Sequence, residues 1–291
     1  MELAIRGTGQ VTLTGQADSD AKLIGLWLHD KSRNTQDGYR ADIHRLVAFV
    51  GDKPLVAVTL ADLQAFADSL ATLAPASRNR FLSSVKSLLS FGHEIGYLTF
   101  NVGAALKLRT VKNRLAERIL AESDVHKLIA MEPNTRNQVL LRLLYAAGLR
   151  VSEACGLTWK DTQDRGEAGQ LAVYGKGDKT RHILLSADTW KELVSLRNGF
   201  PTDAPVFRSR KGGTPLTRVQ VMRIVRAAAT RAGVEAVVSP HWLRHAHASH
   251  ALDRGCPISL VQATLGHASV STTGRYLHAR PDDSSARHLG V

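Results

Sequence analysis

Cationic, acidic and imidazole side chains recur along the second half of the sequence in local patterns that could do chemistry. Arg150 follows a glycine turn and has Glu153 three residues later, a spacing that also gives an ordinary ion pair on a helix. Lys176 stands in a Gly-Lys-Gly turn, and His241 precedes Arg244 by three residues. Taken one at a time, these residues are better explained by structural roles: an ion pair on a helix, a solvated turn and a polar helix face.

Two further residues complete the pattern near the end of the sequence. His267 follows Gly266 directly, and Tyr276 comes nine residues after His267. Alone, His267 could cap a helix and Tyr276 could pack in a core. A guanidinium can hold two phosphate or carboxylate oxygens at once, and a phenol becomes a nucleophile when its proton is removed. The order of all these residues therefore carries more information than any one of them.

A metal site is the first alternative for the histidines. His241 and His245 are four residues apart, which suits two zinc ligands on one helix face. Position 242 is Trp242, so the glutamate of a His-Glu-x-x-His zinc protease is missing. Paired carboxylates for a two-metal nuclease are not found, and the turn at 175–177 lacks the spacing of a nucleotide-binding P-loop. We predict no metal and no cofactor.

Read in order, the segments around these residues resemble the active site of the tyrosine recombinases, the phage-integrase-like site-specific DNA recombinases. The matching strings are YAAGLRVSEACGLTW (145–159), VYGKGDKTR (173–181), PHWLRH (240–245) and LGHASVSTTGRYLH (265–278). The last keeps the family's nine-residue step from His267 to Tyr276. Within the family, the chain is most similar to the compact Xer-type recombinases.

The resemblance implies a role for each residue of the set. Tyr276 attacks a phosphodiester to give a 3′-phosphotyrosyl bond and a free 5′-hydroxyl, without an external energy source. Arg150 and Arg244 stabilise the charge that develops on phosphate, a task for which a bidentate guanidinium is better suited than lysine. Lys176 protonates the leaving oxygen. His241 and His267 donate hydrogen bonds to the phosphate, and His241 is the favoured acceptor of the tyrosine proton. Glu153 supports Arg150.

One departure from the family pattern follows the second arginine. The family commonly has a Thr-Phe-like pair after the histidine that follows this arginine, whereas this sequence has Ala246 and His247. We expect these to be packing positions, so the departure does not affect the predicted activity.

The elements that position these residues belong to a mainly helical second half with a small sheet. Helices are predicted around Val125–Ile129, over Val139–Ala147, after the cap Thr217, and from the Ser239-Pro240 pair, with shorter ones before Gly266 and from Ser271. Strands at Gln170–Tyr174 and His182–Leu185 flank a basic turn and predict a β-hairpin.

The first half predicts a small all-helical domain. Apolar stripes, the capping sequence from Thr59 and the first-turn Pro75 indicate four helices. The last of them is expected to show cations on its outer face. A segment with four cations and no acids follows at 107–114 and predicts an extended linker. It could equally be a solvated loop or a strap that follows a phosphate backbone. The candidate DNA-binding residues are Arg78, Arg80, Lys86, Lys107, Arg109, Lys112, Arg114, Lys179 and Arg181.

Composition agrees with a soluble protein that binds a polyanion. The chain has 291 residues, 38 Lys plus Arg against 26 Asp plus Glu, and a formal charge of +12. Two cysteines cannot form a disulfide framework, and neither a signal peptide nor a membrane span is predicted. The expected domains are a tail at 1–17, a helical core DNA-binding domain at 18–106, a basic linker at 107–118, a catalytic domain at 119–280 and a tail at 281–291.

The predicted function is site-specific recombination of duplex DNA through a Holliday junction, with this chain clamping DNA as one subunit of a homotetramer or heterotetramer. Xer-like dimer resolution and mobile-element integration or excision both fit, and the expected location is the cytoplasm, with the nucleoid. Two alternatives are a catalytically silent DNA-binding accessory protein and DNA relaxation like that of a type IB topoisomerase. The complete set of arginines, lysine, histidines and tyrosine favours the recombinase.

Overall fold

The computed structural model of the chain describes residues 16–51, 53–111, 115–175, 179–210 and 212–277. It divides into two compact units, Met1–Lys112 and Asn113–Val291. Each unit has its own hydrophobic core. Within the described residues, no helix is long and apolar enough to cross a membrane.

The first unit is built from helices that begin at recognisable caps. They are α1 (Asp20–Leu28), α2 (Arg33–Val50), α3 (Leu60–Ser69) and α4 (Pro75–Glu94). The Ser19 side chain accepts from the first turn of α1, Thr59 and Asp62 form a reciprocal capping box on α3, and Pro75 occupies the first turn of α4. The apolar stripes of these helices meet in one core that contains Trp27, Phe66 and many leucines.

The second unit is mainly helical, with one sheet inserted between helices. In chain order its elements are α5 (Glu122–Ala130), α6 (Thr135–Ala146), α7 (Val151–Gly156), β1 (Thr162–Asp164), β2 (Gly169–Tyr174), β3 (Thr180–Leu185), α8 (Ala187–Ser195), α9 (Arg218–Arg231), α10 (Pro240–Asp253), α11 (Ile258–Leu265) and α12 (Val270–Gly274). The middle of α6 is buried through Val139 and four leucines, and α5, α7, α8 and α10 pack against it.

The sheet is antiparallel with strand order β1-β2-β3. Leu171 pairs with Ile183, and both side chains are buried on the face that packs against the helices. The opposite face exposes Tyr174 and Leu184, so the strands alternate between core and solvent. Beyond the last pair of the β2–β3 hairpin, the backbone N–H of Gly175 donates to the carbonyl oxygen of Lys179 at 2.9 Å.

A smaller apolar cluster lies beside the main core of the second unit. It joins α10, α11 and the segment before α5 through Ala248, Val261, Leu265 and Ile119, and it includes Tyr276. Packing in this cluster therefore anchors the tyrosine side chain.

The predicted fold class, a mainly helical first domain and an α+β second domain, is confirmed. The caps at Thr59, Pro75 and Thr217 lie where the sequence predicts helix starts, and Gly266 ends α11 in a left-handed conformation with φ of 62°. The sequence prediction does not include β1, α7 or α8. The first two are only three and six residues long, so no periodicity can identify them.

Candidate active site

Arg244 is the buried centre of the site. It lies on α10 with only 3% of its surface exposed, and its guanidinium donates to the backbone oxygens of Gly148 and Leu265, at 2.5 Å each. These bonds join the turn after α6 to the last residue of α11. Burial and the neighbouring Arg150 lower the pKa of Arg244 to about 10, which still leaves it charged at neutral pH.

Arg150, at the start of α7, also contacts the end of α11. Its Nη2 donates to the carbonyl oxygen of Gly266 at 3.2 Å, one residue along from the carbonyl that Arg244 holds. Its Nη1 donates to Glu153 at 2.8 Å, and its backbone N–H donates to the other carboxylate oxygen at 2.7 Å. Glu153 thus fixes both the backbone and the side chain of Arg150, as predicted from the three-residue spacing.

Glu153 also holds a second arginine, Arg181 on β3. Arg181 donates to both carboxylate oxygens, at 2.8 and 2.9 Å, and its Nε donates to the carbonyl oxygen of Thr264 on α11. The side chain is 11% exposed, so Arg181 connects the hairpin to the site. Burial acts to raise the pKa of Glu153, but the hydrogen bonds from Arg181 and Arg150 outweigh it and lower the pKa to about 2.

His267 is held by α12 on the other side of the Gly266 turn. Its Nδ1 is 2.9 Å from the hydroxyl of Thr273, which is fully buried, and its carbonyl oxygen accepts from the Gln262 side chain. Burial and the cations Arg244, Arg150 and Arg181 lower the pKa of His267 to about 4. The imidazole is therefore neutral at physiological pH.

Tyr276 lies against this group with 6% of its surface exposed. Its ring is parallel to the His267 ring, with 6.5 Å between the centroids. The hydroxyl is 2.7 Å from Nδ1 of His245 on α10. Burial raises the pKa of Tyr276, an effect that Arg244 and Arg275 oppose.

His241 occupies the first turn of α10, one turn before His245, and the two rings are 6.2 Å apart. Desolvation, Arg244 and Arg150 lower its pKa. The structure therefore brings together Arg150, Glu153, His241, Arg244, His267 and Tyr276 around the turn between α11 and α12. Lys176 falls in 176–178, outside the described residues.

His245 is the residue of this site that the sequence prediction assigns no catalytic role. The signal for it was the four-residue spacing from His241, which the sequence alone connects with a zinc site. Within the described ranges, no group of three His, Cys, Asp or Glu side chains is placed to hold a metal ion. Ala246 is fully buried, and His247 bonds to the backbone of Tyr145.

The predicted DNA-binding cations fall into different surroundings. The expectation that α4 shows Arg78 on its outer face is wrong: Arg78 is 6% exposed and donates to the carbonyl oxygen of Ala67 at the end of α3. The Lys86 ammonium donates to three backbone carbonyls between 103 and 106, because the turn after α4 folds back over it. Arg80 is half exposed and bonds to the buried Asp42 at 2.6 Å.

Three cations of the predicted linker and hairpin are more available, whereas Arg181 is bound to Glu153. Lys107, Arg109 and Lys179 are exposed, with the Arg109 backbone held by Asn79. Lys112 and Arg114 lie outside the described residues. Contact of these residues with DNA stays a prediction.

The low pKa of Glu153 leads to a prediction about acid stability. Because the folded pKa lies below the ordinary value of 4.5, the carboxylate stabilises the folded state above pH 4.5 and loses this effect as the pH falls towards 2. Glu153→Gln should flatten this part of the pH profile. At neutral pH it should cost about 3 kcal/mol, because two arginines lose a buried partner. Denaturant unfolding from pH 7 to 2 measures both effects.

Glu122→Gln is the matched control for this measurement. Glu122 also pairs with an arginine, Arg254, but both side chains are about one-third or more exposed. We expect a change below about 1 kcal/mol for this variant. Equal losses for the two variants would mean that the Glu153 network does not stabilise the fold.

Comparisons with known proteins agree with this arrangement. The model of the "Phage integrase family" matches residues 118–282, and that of "Phage integrase, N-terminal SAM-like domain" matches residues 23–94. The chain is 34% identical over 258 residues to tyrosine recombinase XerC of Xylella fastidiosa (strain M23), covering 85% of this chain and 86% of the relative. It is 33% identical over 307 residues to tyrosine recombinase XerD of Proteus mirabilis, covering 97% and 96%.

A solved structure shares the fold. The crystal structure of a lambda integrase tetramer bound to a Holliday junction gives a TM-score of 0.74 at 18% identity, covering 91% of this chain and 77% of the lambda integrase chain.

Proposed function

The chain belongs to the phage integrase family of tyrosine recombinases, and on that premise we propose that it is a site-specific recombinase of the Xer type that cleaves and rejoins DNA through Tyr276. The observation that carries the proposal is the convergence of two guanidiniums on one turn. Arg244 and Arg150 bond to the adjacent carbonyls of Leu265 and Gly266, and the chain continues from there to His267 and Tyr276.

The proposed reaction is a transesterification at phosphorus. The Tyr276 oxygen forms a bond to phosphorus, the bond from phosphorus to the 5′-oxygen breaks, and the 5′-oxygen leaves as a hydroxyl. Lys176 supplies the proton to that oxygen, and the phenol proton passes to a base, for which we retain His241. Arg150 and Arg244 stabilise the charge on the pentacovalent phosphate, with His267 donating a hydrogen bond to it.

Rejoining is the same reaction in reverse. A 5′-hydroxyl attacks the phosphotyrosine and releases Tyr276, so one phosphodiester is exchanged for another without a cofactor. Contacts within the protein itself, from α7, α10 and α11, hold both arginines in place for this reaction.

The proposed partners are duplex recombination sites and further recombinase subunits. Support comes from lambda integrase, which has this fold and was solved as a tetramer on a Holliday junction. A DNA substrate would place this chain with the nucleoid in the cytoplasm. We further propose Lys107, Arg109 and Lys179 as phosphate contacts, since their side chains are exposed, together with Lys112 and Arg114 of the same basic segment.

Covalent capture tests this proposal without requiring the DNA site to be chosen beforehand. The protein is incubated with fragmented DNA of its host, denatured in detergent, and recovered with whatever DNA remains attached. We expect recovered fragments to share a recurrent inverted motif and to be joined to the protein by a 3′-phosphate. Recovery only before denaturation would indicate a silent DNA-binding protein. Attachment at scattered sites with relaxation of supercoils would instead indicate a type IB topoisomerase.

A further inference from the structure

The hydroxyl of Tyr276 is held by an imidazole that the roles proposed above leave unused. His245 lies on α10 directly after Arg244, and its Nδ1 is 2.7 Å from the tyrosine oxygen. The two histidines proposed to bind phosphate lie next to this pair. The His241 ring is 6.2 Å from the His245 ring, and the His267 ring is 6.5 Å from the Tyr276 ring, measured between centroids.

Burial determines the direction of this hydrogen bond. A phenol that is 6% exposed needs an acceptor for its proton. Across the described part of the chain, the hydrogen bond of this hydroxyl is the one to His245. Tyr276 therefore donates its proton and Nδ1 accepts it, which places the hydrogen of the neutral imidazole on Nε2.

The surroundings of His245 keep the imidazole in the form that can accept. Burial, His241 and the cations Arg118, Arg244 and Arg275 together lower its pKa to about 4. An imidazolium formed by taking the phenol proton would be surrounded by these like charges. The same site thus favours His245 as a neutral acceptor in the resting state and disfavours transfer of the proton to it, so the proton still passes to His241 as the tyrosine oxygen bonds to phosphorus.

We propose that His245 is the positioning residue for Tyr276: as a neutral acceptor it fixes the rotation of the hydroxyl and directs the oxygen lone pairs away from α10. This inference rests on the proposed function, since the positioned oxygen is the nucleophile. The tyrosine is then constrained twice, by His245 at its oxygen and by the apolar cluster with Val261 and Leu265 around its ring. A nucleophile held in this way reaches phosphorus with less conformational loss.

Asparagine separates positioning from the other roles that His245 could have. The Oδ1 atom of asparagine takes the place of the histidine Nδ1 and accepts a hydrogen bond, but it does not take up a proton at neutral pH. We expect His245→Ala to slow covalent adduct formation by roughly 10- to 100-fold at saturating DNA. His245→Asn should restore the rate to within a fewfold of wild type, and the affinity for DNA should be unchanged in both variants.

Two outcomes would overturn the inference. If His245→Asn is as slow as His245→Ala, the imidazole acts as a proton acceptor and not by position. If His245→Ala forms adduct at the wild-type rate, the contact with Tyr276 has no role in the reaction. Either result leaves the proposed function intact, because that function is judged by the adduct of the wild-type chain.

His250 offers a matched control on the same helix. Its Nδ1 is 3.0 Å from the hydroxyl of Tyr145, so it forms a similar buried pair with a tyrosine that has no place in the reaction. His250→Asn should leave the rate of adduct formation unchanged. An unfolding cycle of His245→Ala and Tyr276→Phe tests the contact itself: the two together should destabilise less than the sum of their separate effects, and strict additivity would overturn the inference even if no adduct is ever detected.

Discussion

We expect the Tyr276→Phe chain to form no covalent adduct with DNA while it still folds and binds its site. The substitution removes one oxygen, and the ring keeps its place in the cluster with Ala248, Val261 and Leu265. The lost hydrogen bond to His245 should cost about 1 kcal/mol of stability. The measurement is a nicked suicide substrate, on which the wild-type chain is trapped at a 3′-phosphate and the variant is not.

Tyr145→Phe is the matched control, because it also removes a hydroxyl bonded to a histidine Nδ1 on α10. We expect this chain to form the adduct at the wild-type rate. An adduct from Tyr276→Phe would show that another nucleophile acts and would refute the assignment of Tyr276.

The second large effect is expected at Arg150. Its guanidinium is one-third exposed, so Arg150→Ala removes charge from the site without leaving a cavity in the core. Loss of this stabilisation should slow cleavage by roughly 10²- to 10³-fold, with little change in DNA affinity. Arg150→Lys should recover only part of the rate, since an ammonium cannot bond phosphate and Glu153 in the same planar geometry. Single-turnover cleavage at saturating protein measures this.

Arg142→Ala controls for the loss of a partly exposed arginine that pairs with glutamate. Arg142 forms an ion pair with Glu192, with 2.7 Å between Nε and a carboxylate oxygen, and is 31% exposed. It lies on α6 and makes none of the site contacts described above. Cleavage by this variant should equal that of the wild type. A similar rate for Arg150→Ala would contradict the role assigned to Arg150.

Most of the residues that the family resemblance singles out lie close together in the structure. Glu153 lies in the first turn of α7, three residues after the N-cap residue Arg150, so local geometry alone brings them together. The contact between His245 and Tyr276 cannot be predicted in this way, because the two residues are 31 positions apart in the sequence. Only the packing of α11 against α10, and of α12 against α11, decides which side chain meets that imidazole, and no local spacing encodes it.

Long cationic side chains were the least predictable feature. A helical stripe identifies which positions of α4 face the core, but Arg78 and Lys86 carry their charges several bonds away from those positions. Arg78 reaches a carbonyl of α3, and Lys86 reaches the carbonyls of the 103–106 turn. Both supply donors to the ends of other segments, a use that depends on tertiary contacts.

Helix caps are easier to predict from the sequence than short helices and strands. Thr59, Pro75, Thr217 and Gly266 each act on their own helix, so the sequence reports them directly. The α8 helix also has such a signal in the cap Ser186, with Leu193 buried further along the helix. The three residues of β1 have none, because pairing with β2 defines that strand.

Arg244 has both a structural role and a role in the proposed reaction. It ties the α6 turn to α11 through backbone carbonyls, and a guanidinium carries more N–H groups than those two bonds use, so the remainder can face phosphate. An apolar side chain at this position would leave both buried carbonyls without their donor, which lowers stability. Loss of the reaction alone would therefore not release this position to change, and a descendant of this chain that no longer cleaves DNA should still keep the arginine.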